Sequence, residues 1–167
     1  ELKHFFMRDY SEEASQLTAL AAHLQQFDAL VTYNGRAYDQ PLLETRYRMC
    51  RQRPPFGRLQ HLDLLYGARR LYRLQFDSCR LVELEGQILG FERIDDVPGS
   101  MIPYLYFEYL RTRSGHRMLG IFDHNAFDIP TLACLTGIIP RAFQAPLEVP
   151  IHRGAEMVGL GRWLRNA

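Results

Sequence analysis

Cysteine is scarce in this sequence, and its placement matches no common cysteine site. The three cysteines, Cys50, Cys79 and Cys134, lie far apart, and no Cys-x-x-Cys pair occurs. An odd and dispersed set argues against both a disulfide framework and a zinc ribbon. We therefore expect small buried side chains at these positions and a reducing, cytoplasmic setting.

Membrane and export signals are also missing. No apolar run approaches the roughly 18 residues that a transmembrane helix needs, and the first six residues lack the basic, apolar and small regions of a signal peptide. With 167 residues, of which 47% are hydrophobic and 23% charged, the composition is typical of one globular domain. Because the sequence does not begin with Met, we expect the natural chain to start further upstream.

Lysine is nearly absent, since Lys3 is the one example, while arginine is clustered. The segment from Arg36 to Arg80 holds ten arginines and four acids, although the whole chain has a net charge of only +1. Basic segments of this kind can follow a phosphate backbone. A solvated basic surface, together with a general preference for arginine over lysine, is an equally good interpretation.

Hydrophobic periodicity and turn residues predict an α/β fold in which strands lead into helices. Strands are expected at residues 2–7, 29–33 and 61–65. Helices are expected at residues 12–26, from Pro41 to the prolines at 54 and 55, from the third strand to about residue 72, and at residues 78–88, 103–111 and 117–137. Gly90 should end the helix at residues 78–88, and Pro130 should kink or break the helix at residues 117–137. The predicted domain organisation is a core at 1–137, a Pro-containing linker at 138–153, and the start of a helical module at 154–167.

The first candidate motif follows the strand at residues 29–33. Asn34 and Gly35 form a tight loop, and Asp39 comes just before Pro41, where a helix should begin. Sites in open α/β sheets lie at this end of the strands. The alternative is that Asp39 only caps the helix.

The second candidate motif is His124-Asn125-Ala126-Phe127-Asp128. His124 and Asp128 are four residues apart, so they share one face of a helix. Such a pair can ligate a metal or act in acid–base chemistry. The alternative is that Asp128 is an N-cap with Pro130 in the first turn.

Together, the two motifs resemble the second and third motifs of the DEDD exonucleases of the ribonuclease-H-like superfamily. The sequence around them resembles the bacterial YprB-type branch over residues 2–137. This similarity includes the segments at 27–35, 41–47, 61–65, 68–71, 89–93 and 98–100. The resemblance implies a ribonuclease-H-like mixed sheet flanked by helices, and a metal-dependent 3′–5′ exonuclease that acts on the end of single-stranded DNA or RNA.

The resemblance also implies roles for individual residues. Asp39 and Asp128 would bind Mg²⁺ or Mn²⁺ in a two-metal site, and His124 would orient or deprotonate the attacking water. Asp63 and Asn125 would lie near the site, although burial of Asp63 with a helix or backbone partner is an equal alternative. Contacts to nucleic acid would come from seven residues: Asn34, Gly35, Arg36, Tyr38, Arg46, Arg51 and Arg53.

The family's first motif, Asp-x-Glu on the first strand, does not occur in this sequence. Because two Asp cannot hold two divalent ions, we expect the first two strands to precede residue 1 and this chain to be inactive by itself. Two other functions stay open. One is a non-catalytic module that binds nucleic acid, and the other is a scaffold that binds a protein partner through the C-terminal helical module.

Overall fold

The computed structural model describes residues 1–146 and 154–166. It is a helix-rich α/β structure with a two-stranded parallel sheet, formed by β1 (Ala29–Thr32) and β2 (Gln60–Asp63). The α-helices are α1 (Glu13–Leu24), α2 (Asp39–Met49), α3 (Leu64–Tyr72), α4 (Leu81–Leu84), α5 (Ile102–Thr112), α6 (Leu119–Gln144) and α7 (Gly154–Asn166). A π-helical turn, Glu85–Leu89, extends α4 and ends at Gly90, whose φ of 65° is the left-handed conformation that glycine favours.

The chain forms two compact units. The helical unit comprises Glu1–Asp28, Pro41–Gln60 and Arg93–Pro130, and the sheet unit comprises Ala29–Gln40, His61–Glu92 and Thr131–Ala167. In the helical unit, Leu105, Met118 and Ile121 form a buried cluster against which Phe6 and Tyr106 pack. Tyr47 is fully buried in the same unit, and its hydroxyl donates a hydrogen bond to the backbone oxygen of Leu17.

The core of the sheet unit lies on α3 and the second half of α6. Leu64, Ala68 and Leu71 are buried at helical spacing on α3, and Leu135 and Ile139 are buried on α6. Leu160 of α7 belongs to the same cluster. Its neighbour Gly159 lies so close to α3 that an added Cβ would be 2.2 Å from the backbone oxygen of Arg70.

Three secondary-structure predictions are wrong in informative ways. Residues 2–7 form no strand; Phe6 instead contacts the rings of Tyr106 and Phe122. Helix α6 continues through Pro130, so the expected break is absent and the kink stays a prediction. Asp128 is therefore inside a helix and is not an N-cap. The helix also continues to Gln144, where the linker was expected to have begun at 138; residues 147–153 of that linker lie outside the described residues.

One stretch among the described residues, His116–Gln144, is long and apolar enough to cross a membrane by length and composition. Core helices of soluble proteins meet the same criterion, and Leu135, Ile139 and Ala142 in this stretch are buried in the core of the sheet unit. These residues place only the second half of the stretch in that core. One such helix is weak evidence for a membrane location, and the cytoplasmic location stays a prediction.

Candidate functional site

The loop after β1 is held by a buried carboxylate at the end of β2. Asp63 is only 7% exposed. Its oxygens accept hydrogen bonds from the backbone N–H groups of Asn34 (2.8 Å) and Arg36 (2.9 Å), and from that of Leu65 (3.1 Å) in the first turn of α3. Asp63 therefore fixes the loop and caps α3, which is the structural role that the sequence left open.

The same loop has a tight backbone conformation. Asn34 has a φ of 64°, which asparagine tolerates better than most residues. Gly35 is buried, and a Cβ there would lie 2.6 Å from the Cβ of Thr32. The loop residues of the first motif are thus needed for the turn itself, and Tyr38, at 70% exposure, extends from it into solvent.

Asp39 begins α2 directly after this loop. The residue lies at the surface, yet partial burial of its carboxyl group raises the pKa of Asp39. A backbone hydrogen bond lowers this pKa, and the charge of Asp63 raises it. Burial, and to a smaller extent the charge of Asp63, therefore disfavour the charged form of Asp39, and the carboxylate makes no ion pair among the described residues. An added cation would stabilise its charged form.

His61 on β2 contacts both β1 and α2, although it was not among the predicted site residues. Its Nε2 lies 2.8 Å from the hydroxyl of Thr32, and its Nδ1 lies 2.7 Å from Oε1 of Gln40. Burial lowers the pKa of His61, and the charge of Arg36 lowers it further. These contacts depend on the pairing of β1 with β2, so no local pattern could have indicated them.

In the helical unit, His124 and Asp128 share one face of α6, as predicted. Nδ1 of His124 is 2.9 Å from Oδ1 of Asp96, and its Nε2 is 3.7 Å from Oδ2 of Asp128. The guanidinium group of Arg93 binds both acids, at 2.7 Å from Asp128 and 3.1 Å from Asp96. Neither Arg93 nor Asp96 was among the predicted site residues.

Arg93 is the most buried member of the cluster. Its side chain is 2% exposed, and its Cζ lies 5.7 Å from the centre of the Phe127 ring. Burial opposes ionisation of Asp96, but its hydrogen bonds and charge interactions with His124 and Arg93 outweigh burial and lower its pKa. The cluster therefore holds charged carboxylates around one buried cation.

The contacts with Asp96 and Asp128 fix the orientation of the imidazole of His124. When Asp96 accepts the Nδ1–H of His124, Nε2 is left as the acceptor. A histidine oriented by a carboxylate is the usual arrangement of a general base. Asn125 is exposed on the adjacent face and lines, with Asp128, a cavity of about 390 Å³ beside residues 2–6.

The predicted arginines differ in their availability. Arg46 makes two hydrogen bonds of 2.5 Å to the carboxylate of Glu13, so its charge is already compensated. One guanidinium nitrogen of Arg36 donates to the backbone oxygen of His61. Arg51 and Arg53 are exposed, and their contact with nucleic acid stays a prediction.

The predicted site residues fall into two groups. Asn34, Gly35, Arg36, Tyr38, Asp39 and Asp63 belong to the sheet unit. The helical unit contains Arg46, Arg51, Arg53, His124, Asn125 and Asp128. Among the described residues, no group of three or more His, Cys, Asp or Glu could hold a metal ion. Because Asp128 is paired with Arg93 and Asp63 with backbone amides, neither group fits a divalent ion by itself, and the joint use of Asp39 and Asp128 stays a prediction.

Comparison with known proteins identifies the family. A family model described as the RNase_H superfamily matches residues 1–139. The "Uncharacterized protein YprB" of Bacillus subtilis (strain 168) is 39% identical over 139 residues, which are 81% of this chain and 33% of that relative; the chain thus spans about a third of the relative's length. No solved structure matches. The chain belongs to the RNase H superfamily and contains a YprB-type ribonuclease-H-like domain.

Proposed function

We propose that this chain is part of a nuclease that hydrolyses phosphodiester bonds of single-stranded DNA or RNA from the 3′ end, with Mg²⁺ or Mn²⁺ as the metal. The superfamily suggests nuclease-type activity. The observation that carries the finer proposal is the arrangement of His124, held at Nδ1 by Asp96 and next to Asp128. A histidine positioned in this way can take a proton from an attacking water at Nε2.

A two-metal site needs more carboxylate ligands than Asp39 and Asp128 provide. RNase H-like nucleases generally use divalent metal ions, and hard cations need several carboxylate oxygens. This chain offers Asp39, whose raised pKa favours a nearby cation, and Asp128. We propose that the remaining acids are those of an Asp-x-Glu motif on strands preceding residue 1, so the protein must be tested with its natural N-terminal sequence.

The test is trimming of 5′-labelled single-stranded DNA and RNA in Mn²⁺ or Mg²⁺, with products separated by length. Asp39→Asn and Asp128→Asn should abolish trimming, and His124→Gln should slow it by roughly 10²–10⁴-fold. Asp123→Asn, an exposed acid on the same helix as Asp128, is the matched control and should trim like the wild type. Full activity in either Asp39→Asn or Asp128→Asn would refute the proposed site.

A non-catalytic nucleic-acid-binding module is the second candidate. The ion pair of Asp128 with Arg93 supports it, because a carboxylate that is already neutralised is a poorer metal ligand. In that case the natural protein should bind oligonucleotides and leave them uncut in every metal tested. Trimming that depends on Asp39 would rule this candidate out.

A further inference from the structure

Two cavities in the sheet unit are lined by arginines that the motifs did not include. One cavity, of about 370 Å³, lies against α3 and α7 and is lined by Arg69, Arg70, Arg73 and Arg162, together with Trp163. The other, of about 540 Å³, is lined by Arg69, Arg73 and Arg80 and reaches Asn34 after β1. Both cavities are therefore basic, and the second adjoins the first candidate motif.

Arg69 and Arg73 line both cavities because they are one helical turn apart on α3. Like charges at this spacing repel each other. Among the described residues, none of the arginines that line these cavities forms a salt bridge. Asp77 is the one acid among the described residues that line either cavity. The positive charge is thus left for an external anion.

Helix α7 adds an aromatic surface to this basic region. The close approach of Gly159 to the backbone of Arg70 brings α7 against α3. Trp163, one turn further along, lines the first cavity, and its ring is held edge-on by Phe143 with ring centres 5.2 Å apart. Basic side chains beside a fixed aromatic ring are the combination that binds single-stranded nucleic acid, since the cations contact phosphates and the ring stacks on a base.

We propose that the two cavities form one track for a single-stranded nucleic acid. The phosphates contact Arg69 and Arg73, a base stacks on Trp163, and the strand continues toward Asn34. The proposal rests on the proposed function, because it assigns the path by which the substrate of that function reaches the first motif. It places the contacts on arginines other than Arg46, Arg51 and Arg53.

The test is binding of a fluorescently labelled single strand, (dT)₁₅ or (rU)₁₅, measured by anisotropy in EDTA so that no strand is cut. Each phosphate contact contributes a slope of about 0.7 in log affinity against log salt, which corresponds to roughly a five-fold effect at about 0.1 M salt. Arg69→Gln/Arg73→Gln should therefore weaken binding by about 25-fold and reduce the slope by about 1.4. Arg162→Gln should weaken it by about five-fold.

Two exposed arginines serve as matched controls. Arg165 lies on the same helix as Arg162 without lining either cavity, and Arg111 is exposed on α5. Arg165→Gln and Arg111→Gln should each leave the affinity within two-fold of wild type. Because Trp163 is the one tryptophan of this sequence, its fluorescence should change on binding in wild type and much less in the double variant at the same strand concentration.

The results separate this inference from the proposed nuclease activity. Loss of binding in Arg69→Gln/Arg73→Gln, with normal binding by Asp39→Asn, supports the track even if no strand is ever cut. Wild-type affinity in the double variant overturns the track, even if trimming occurs. Absence of binding by the wild type, equal losses in the control variants, or equally tight arginine-dependent binding of polyglutamate or phosphatidylserine vesicles would also overturn it.

Discussion

The carboxylates of the two candidate regions, the loop after β1 and the cluster on α6, have different partners. After β1, Asp63 is satisfied by backbone N–H groups, and its charge helps to raise the pKa of Asp39. On α6, Asp128 is paired with the buried cation of Arg93, and the pKa of Asp96 is lowered. A cation added to the first region would therefore favour the charged form of Asp39, whereas the second region already contains a cation, Arg93.

This difference suggests that the two regions have different roles in the proposed reaction, metal binding in the first and proton transfer in the second. Burial and the charge of Asp63 disfavour the charged form of Asp39, and a bound metal ion would offset both effects, so we expect Asp39 to be the stronger metal ligand of this chain. A histidine between two carboxylates and an arginine has a fixed orientation, which favours proton transfer by His124. Asp128 would have to exchange Arg93 for a metal, so we expect it to be the weaker ligand.

The largest expected effect tests the backbone anchoring of the first region. Asp63→Ala leaves three N–H groups without their acceptor, two in the loop and one at the start of α3. We expect a loss of about 3–5 kcal/mol in the free energy of unfolding, measured by urea denaturation. Asp28→Ala, an exposed acid before β1, should change it by less than about 0.5 kcal/mol. A similarly small loss for Asp63→Ala would show that the loop does not depend on this carboxylate.

The next effect tests charge pairing in the second region. Arg93→Met should cost about 2–3 kcal/mol, because it leaves two carboxylates without their buried cation. In a double-mutant cycle with Asp128→Asn, the coupling energy should exceed about 1 kcal/mol. The exposed pair of Arg117 and Glu108 is the matched control, and its cycle should give less than that. Equal coupling in both cycles would mean that Arg93 and Asp128 contribute no more than a surface pair.

The contrast also explains how much the sequence could predict. The strand, loop and helix around Asn34 and Asp39 follow from local patterns, because turn residues and an apolar strand act over a few positions. The role of Asp63 was left open, since its partners Asn34 and Arg36 are 29 and 27 residues away. The pairing of Arg93 with Asp128, 35 residues apart, has no local pattern at all.

The wrong predictions have the same origin in tertiary packing. Residues 2–7 have the composition of a strand, but their aromatic side chains pack without a strand partner among the described residues. Pro130 and Pro140 each lack the N–H of a regular helix, yet α6 continues through both. Burial of Leu135 and Ile139 offsets the lost hydrogen bonds. Local helix propensity does not include the free energy of this tertiary burial.

A smaller effect concerns the pH dependence of the second region. The folded-state pKa of Asp96 lies below its ordinary value of 3.8, so its stabilising contribution is fully present above that value and is lost as the pH falls through the folded-state pKa. Asp96→Asn should therefore lower the free energy of unfolding at pH 6, and its difference from wild type should shrink below pH 4. Urea denaturation between pH 6 and pH 3 measures this, with Asp123→Asn as control. A difference that stays constant over that range would contradict the lowered pKa.

The smallest expected effect is the loss of stability caused by His61 in the first region, which occurs at a higher pH than the loss caused by Asp96 in the second. The pKa of His61 lies below its ordinary value of 6.5, so the folded state takes up a proton less readily than the unfolded state. Its contribution is present above 6.5 and is lost as the pH falls below it. Wild type should therefore lose more stability than His61→Gln between pH 7.5 and pH 5.5, a range in which Asp96 does not titrate.

Glutamine can keep hydrogen bonds to Thr32 and Gln40, so the variant changes mainly the titration. His116→Gln, at an exposed position, is the control and should retain the wild-type pH dependence. Protonated His61 donates from both ring nitrogens, so it keeps the hydrogen bond to Oε1 of Gln40, and the hydroxyl of Thr32 can turn to accept from Nε2. The expected effect of protonation is therefore on the free energy of unfolding and not on the position of α2. Urea denaturation at both pH values measures the loss, and equal losses of stability in wild type and His61→Gln between pH 7.5 and pH 5.5 would contradict the lowered pKa of His61.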